Sequence, residues 1–405
     1  MPTDKNLAPI GYILAGMAIF VCMGTIYAWS VFRKPLEEVF GIGATESGWP
    51  YMLFLCFYAL TMPFAGNLIE KSGPRRTTML GGLILASGWF ASGSATTITT
   101  LSITYGVLGG IGVGLIYGVP LAVAARWFPQ KKGLAVGVTL AGFGVSPFIT
   151  APVALYLIDH YGVLASFRIF GVLFFLCISL LASFLKFPEA NSKNQEATEG
   201  STAQNSPGFN PMLKARAFYG LWFCYAIGTF SGLMAISVTS PVAQEIIRLQ
   251  PERAAFAVSI FALFNALGRP LFGTMTDRFG TRPTIALSFI LILIASAALL
   301  VANAGDVSIY FAAFSLLWLT LGGWLAIAPV STSNLFGALN YCRNYGYVFT
   351  AYGAGALAGG LTSGLVKDHF GSYQYAFFVT ALLAIIGIAI NLSVMPKKTP
   401  RSAPA

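Results

Sequence analysis

FALFNALGRPLFGTMTDRFG, Phe261 to Gly280, places an arginine in the middle of an apolar run and ends it with an acid, a base and a glycine. From Ala254 to Met275 every residue except Ser259, Asn265, Arg269 and Thr274 is apolar or small. Either this helix lies outside lipid, or Arg269 is a charge with a purpose. Composition decides between them. The chain has 405 residues, 56% hydrophobic and 9% charged, against about 25% charged residues in a soluble domain. It reads as an integral membrane protein. Twelve apolar stretches are each long enough to cross a hydrocarbon core of about 30 Å as a helix. They fall near 8–31, 48–69, 77–97, 103–125, 133–157, 165–187, 217–241, 254–275, 283–303, 308–331, 346–366 and 373–395. The opening MPTDKNLAPIGYIL lacks a short apolar segment with a small-residue cleavage site, so the first stretch is expected to be retained.

Basic residues set the expected orientation. With the N-terminus in the cytoplasm, 17 of the 24 Lys and Arg fall on the cytoplasmic side, six (Arg33, Lys34, Arg168, Arg248, Arg253 and Lys367) on the outer side, and Arg269 between. That bias predicts cytoplasmic termini; the expected location is a plasma membrane, of the bacterial inner-membrane kind. The net charge of +10 is then mostly orientation. The bases are scattered over short loops, which argues against a nucleic-acid surface. Five cysteines without metal-ligand spacing read as packing residues. No enzymatic constellation is visible, no metal or cofactor is implied, and the chain is expected to act as a monomer in the bilayer.

The chain repeats itself. GNLIEKSGPRR begins at Gly66 after the second stretch, and GTMTDRFGTRP begins at Gly273 after the eighth; IDHYG at Ile158 and KDHFG at Lys367 close the fifth and eleventh. The long polar segment between the copies cannot bury enough apolar surface to fold alone. The expected organisation is an N-terminal six-helix half at 1–187, a cytoplasmic linker at 188–215 and a C-terminal six-helix half at 216–405. Such a duplication predicts an all-α transporter whose site lies between the halves at the midplane.

The pattern Gly-x-x-x-Asp-Arg-x-Gly-x-Arg, seen at Gly273 and in modified form at Gly66, resembles the loop motif of the major facilitator superfamily. The resemblance covers essentially the whole chain and implies that superfamily's fold of twelve transmembrane helices. It also implies a conformational latch at Glu70, Arg75, Arg76, Asp277, Arg278 and Arg282, with Glu70 standing where the family usually has Asp. GTIYAWSVF at Gly24, ARWFPQKKGLAVG at Ala125 and NALGRP at Asn265 resemble the branch of oxalate/formate antiporters and monocarboxylate transporters.

Arg269 lies eight residues before Asp277, about 12 Å along a helix and near the midplane. A central Arg costs about 2.5–3.5 kcal/mol to insert, so it must face a cavity or a protein partner. All 14 acids fall in loops, tails or helix ends, which points to an external anion. The guanidinium fork suits a planar carboxylate and stays charged at physiological pH. Asn265, one turn earlier, either orients the guanidinium and its carboxylate or bonds another helix. Tyr117 and Tyr27 are further candidates for the substrate path, with packing as the alternative for each. Gly106, Gly110, Gly114 and Gly118 form a stripe suited to close helix packing. His160 and His369 read as surface caps.

The resemblance bears on the substrate. Animal monocarboxylate transporters place an Asp four residues before this arginine, where this chain has Asn265; oxalate-type members add a lysine on helix eleven, where this chain has Tyr352 in TAYGAG. One cation suits one carboxylate. A small monocarboxylate, lactate- or pyruvate-like, carried with a proton is therefore expected, with anion exchange of the oxalate/formate type as the alternative. A drug exporter or a transporter-like receptor is a third reading. It lacks the intramembrane acid expected of an exporter of cationic drugs and a substantial signalling tail.

Overall fold

The computed structural model describes residues 7–128, 132–188, 211–336 and 341–396, apart from the side chains of 7–9, Asn67, Glu70, 132–134, Pro211 and 341–343. The described residues form helices and short connections. Twelve transmembrane helices in two pseudo-symmetric halves give the architecture. The first span runs through Leu7–Met23, a 3-10 segment at Gly24–Ala28, and Trp29–Phe40. A continuous helical trace, Ala44–Ser92, contains the second and third spans. The fourth comprises Ile98–Leu101, a π-helical Ser102–Leu108 and Gly109–Trp127. Lys132–Tyr161 and Val163–Phe184 complete the first half, and Arg216–Glu245, Pro251–Phe279, Thr281–Leu300, Val307–Phe336, Tyr341–Phe370 and Gln374–Val394 make up the second.

The sequence repeat is a backbone repeat. Gly73 breaks the trace between the second and third spans at φ 75°, ψ 169°, and Gly280 separates the eighth from the ninth at φ 89°, ψ 169°. These are the same position of the two motif copies, and an L side chain is strained there. Gly162 and Gly371, at φ 82° and 73°, end the fifth and eleventh spans in the same way. Their amides donate to Ile158 O and Lys367 O, both at 2.8 Å. His160 and His369 each place Nδ1 within 2.9 Å of the carbonyl four residues back, as surface caps would.

Burial separates central from peripheral spans. In the most apolar stretch of Arg216–Glu245, 83% is buried against protein; in that of Gln374–Val394, 28% is. Phe64, Leu180, Leu267 and Phe378 are exposed on the outer surface, as expected of residues facing lipid tails. Among the described residues, ten helices are long and apolar enough by themselves to cross a membrane. Tyr341–Phe370 falls short because it is rich in Gly and Tyr. It compensates by packing: Gly355 and Gly359 sit against the seventh span at Ala226, Phe230 and Met234, and Gly360 and Gly364 against Met52 and Thr45 of the second.

One boundary is corrected. The first span was expected to stop near residue 31, leaving Arg33 and Lys34 on an outer surface. Instead the helix continues to Phe40 and Arg33 is fully buried. Its guanidinium is occupied by the partners described below.

Candidate functional site

Close helix packing puts Arg269 at the junction of the halves. A Cβ on Gly268 would lie 2.1 Å from Leu319 O, and one on Gly322 would lie 1.9 Å from Asn265 O, so the eighth and tenth spans touch backbone to backbone. That approach lets Asn265 Nδ2 donate to Trp318 O at 3.3 Å. On the other face, a Cβ on Gly144 would meet Ala266 at 3.0 Å, bringing the fifth span of the first half against the eighth. Arg269 Nη1 donates across this contact to Leu140 O. Nη2 reaches Asn265 Oδ1 at 3.5 Å. Asn265 thus bonds a neighbouring helix and also touches the guanidinium.

The guanidinium is incompletely satisfied. Arg269 is 7% exposed, and its Nε is buried with no hydrogen-bond partner. Among the described residues no carboxylate forms an ion pair with it. Arg33 shows what a satisfied buried arginine looks like in this protein. Its Nε donates to Ser47 Oγ at 3.1 Å, Nη1 to Ser237 Oγ at 3.2 Å, and Nη2 to Ala44 O. Glu37 lies 3.9 Å away, and the Tyr373 ring lies 5.5 Å from the guanidinium carbon. A buried cation without such a shell is costly unless a ligand completes it.

Aromatic rings surround the same point. Tyr27 of the first span and Tyr352 of the eleventh share a hydrogen bond of 2.9 Å between their hydroxyls, one from each half. Tyr58 packs on Tyr117 and Tyr352 at ring distances of 5.2 and 5.8 Å. Phe349 stacks on Tyr352 at 5.0 Å, and Phe143 meets Tyr27 at 5.1 Å. Phe143 also meets Tyr117 at 5.8 Å and lies one turn beyond Leu140, whose carbonyl accepts from Arg269. The structure therefore brings Arg269, Asn265, Tyr27, Tyr117 and Tyr352 into one buried cluster. The glycine stripe helps build it: Cβ atoms on Gly106, Gly110 and Gly114 would lie within 2.9 Å of Pro50 O, Phe54 O and Tyr58 O, so the fourth span seats directly on the second, which carries Tyr58.

A second polar system joins the halves on the side opposite the termini. Asp368, at the far end of the eleventh span, accepts from the amides of Ala44 and Thr45, both at 2.9 Å, at the start of the second span. This is an N-terminal helix cap supplied by the other half. Burial opposes ionisation of Asp368, but the Thr45 side chain and amide, the Ala44 amide and the Arg33 charge outweigh it and hold its pKa below the ordinary 3.8. Lys34 reaches Glu245 at 3.3 Å, and Lys367 pairs with the same carboxylate. Tyr51 donates to Leu233 O at 3.1 Å. Reading the sequence assigned these residues no role, since charged residues near the ends of spans ordinarily mean loops.

The motif residues lie on the side of the termini. Arg75, Arg76, Asp277 and Arg278 are exposed, and among the described residues none is in an ion pair. Arg282 donates to Leu392 O. The Glu70 side chain lies outside the described residues.

Two six-helix halves meeting around a buried, under-coordinated cation define a polytopic secondary carrier. The chain belongs to the Major Facilitator Superfamily, whose family profile matches residues 10–333 and 221–405. It is 29% identical over 388 residues to the oxalate:formate antiporter of Oxalobacter formigenes, covering 95% of this chain and 91% of that protein. It is 24% identical over 430 residues to monocarboxylate transporter 1 of Bos taurus, covering 94% and 85%. A solved structure of a bacterial homolog to the human lysosomal transporter Spinster, inward-facing and unoccupied, superposes with TM-score 0.74 at 14% identity, covering 96% of this chain and 97% of that one. The chain is thus a multi-pass membrane transporter of this superfamily, related to oxalate:formate and monocarboxylate carriers.

Proposed function

We propose that the protein carries small monocarboxylates, lactate- or pyruvate-like, together with a proton, by alternating access between its halves. The observation that carries this reading is Arg269, a buried cation with an unpartnered Nε, in contrast to Arg33, a buried arginine elsewhere in the fold whose donors are occupied. A carboxylate bound there would take the free N–H and share the charge, while Asn265 and the Tyr27–Tyr352 pair frame it. One cation balances one carboxylate, and Tyr352 occupies the place at which a second cation would favour a dicarboxylate. The proton travels with the substrate, on the carboxylate as it leaves or meets the guanidinium, because an isolated anion crosses an apolar interior at high cost.

In this mechanism the protein sits in a bacterial inner membrane with both termini in the cytoplasm, a reading the positive-inside bias supports for the termini. The Asp368 cap, the Lys34–Glu245–Lys367 group and Arg33 then form an outer lock. The exposed Arg75, Arg76, Asp277 and Arg278, with Glu70 and Arg282, form an inner latch that engages when the outer lock opens. Anion exchange is the second reading, favoured by the 29% identity to an oxalate:formate antiporter. Uptake of labelled lactate, formate and oxalate into proteoliposomes separates the two. An inward proton gradient is expected to accumulate lactate in vesicles without internal anion. A strict need for preloaded anion would establish exchange, and failure to move any carboxylate would overturn the proposal.

A further inference from the structure

Away from the central cluster, a cavity of about 730 Å³ opens on the termini side of the first half. Its lining combines the bases Arg75, Arg76 and Lys186 with the apolar side chains of Met79, Leu185 and Phe187. Arg126 adds a fourth cation, its guanidinium stacked 3.9 Å from the Phe187 ring. Trp127 Nε1 donates to Lys186 O at 2.8 Å and fixes that wall. Among the described residues the lining contains no acid.

The sequence repeat supplies an internal control. Arg75 and Arg282 occupy the same position of the two motif copies. In the second half Arg282 turns inward to Leu392 O, and Asn391 Nδ2 donates to Arg282 O at 2.8 Å, so the arginine is bound to the twelfth span. In the first half the corresponding space is open. Arg75 and Arg76 are exposed, and among the described residues neither has a partner. The same fold element is closed by protein in one half and left as a cationic cavity in the other.

Its surroundings select the occupant. Leu80 and Leu83 on the third span and Leu180 and Phe184 on the sixth are exposed, 46% to 62% of their surface, and lead from the cavity along the lipid-facing wall. We propose that this cavity binds the phosphate headgroup of an anionic phospholipid, with the acyl chains along that apolar lane. While the outer lock is closed and the inner latch is disengaged, Arg75 and Arg76 contact the phosphate, and Lys186 and Arg126 supply the surrounding field. A cationic pocket between spans at the membrane edge suits such a lipid because headgroup and chains are satisfied at once.

The test is native mass spectrometry of the purified full chain delipidated and re-exposed to phosphatidylglycerol, phosphatidylcholine or water-soluble glycerol phosphate. Arg75→Gln/Arg76→Gln is compared with Arg216→Gln/Arg278→Gln, which removes the same charge from exposed positions on the same side. The wild type and the control pair are expected to retain phosphatidylglycerol in preference to phosphatidylcholine. The cavity variant should lose about thirtyfold in phosphatidylglycerol affinity, since each base near the membrane surface contributes about fivefold. Equal loss in both variants would reduce the effect to general surface charge and overturn the site. Equal binding of glycerol phosphate would show that the acyl lane contributes nothing and overturn the lipid assignment. Circular dichroism on each variant confirms that a loss of binding is not a loss of fold, and a pair that unfolds is replaced by the two single substitutions, read against the same two outcomes.

Discussion

Replacing each buried arginine by glutamine should have opposite consequences for stability and for ligand response. Arg33 has its Nε and both terminal nitrogens bonded, with Glu37 at 3.9 Å. Arg33→Gln removes the charge beside Glu37 and orphans acceptors on Ser47, Ser237 and Ala44. Breaking such a buried ionic group costs about 3–5 kcal/mol, and the partial exposure of Glu37 moves the expectation to the lower end, about 3 kcal/mol. Arg269→Gln loses one bond to Leu140 O and one long contact to Asn265 Oδ1, but also removes an uncompensated buried charge. Hydrogen bonds to charged groups contribute about 1.5–3 kcal/mol each, and relief of the buried charge offsets them. The expected net change is within about 1 kcal/mol of zero. The assay is thermal unfolding of both purified variants and the wild type, with and without lactate at about one hundred times its Kd. Wild type should gain about 2.7 kcal/mol from saturating ligand; Arg33→Gln should start lower and keep that gain; Arg269→Gln should start near wild type and lose it. If Arg269→Gln were as destabilised as Arg33→Gln, Arg269 would be a structural residue. A full lactate shift in Arg269→Gln would remove it from the binding site.

Other outcomes follow from the same geometry. Asn265→Ala should weaken lactate binding less than Arg269→Gln, because the arginine retains Leu140 O; equal loss of binding would make Asn265 a direct ligand. Asp368→Ala should shift the balance toward the state open on the side opposite the termini by about 2- to 30-fold, the range for losing a helix cap of about 0.5–2 kcal/mol, read by spin-label distances across that side. The lowered pKa of Asp368 means that its cap is fully formed above the ordinary carboxylate value and is lost only as pH falls through the lowered one; those distances should therefore not change between pH 8 and pH 5, and a midpoint inside that interval would refute the assignment. Tyr352→Lys would add a second cation beside Arg269, attracting a carboxylate at 4 Å by about 4 kcal/mol at an effective dielectric of 20 before desolvation. Oxalate should then gain on lactate in competition binding, and an unchanged ratio in a folded variant would refute a role for Tyr352 in choosing between one carboxylate and two.

Membrane character, helix number and internal duplication were legible because each is carried by local signals: apolar runs of the right length, and motifs recurring at a fixed interval. Arg269 was legible because a lone charge in the middle of such a run has no local explanation. Arg33 was not. It lies where the apolar run fades, so its position alone reads as a helix end at the water interface. What buries it is nonlocal: Ser237 lies 204 residues away, and Tyr373 belongs to the approach to the last span. Asp368 was misleading for the same reason. Beside His369 it looked like part of a surface cap, whereas its acceptors serve Ala44 and Thr45 more than 320 residues earlier.

The pairing of the halves explains why these contacts could not be read from one copy of the repeat. IDHYG and KDHFG share the glycine turn and the histidine cap, yet only the second aspartate has a partner helix terminus in reach. Likewise Arg75 and Arg282 share a motif position, but only Arg282 is taken up by a backbone carbonyl. Where a duplicated fold keeps a residue for the fold's own sake, both copies make the same local bonds. Where the copies part, one residue has acquired a task that the local turn does not require. By that criterion Asp368 serves the junction between halves, while the proposed roles give Arg75 to the membrane surface and Arg269, whose motif-aligned counterpart in the first half is Met62, to the substrate. The proposed binding site would then be an asymmetry placed between two nearly symmetric units, its single charge leaving the other half free to contribute aromatic surface.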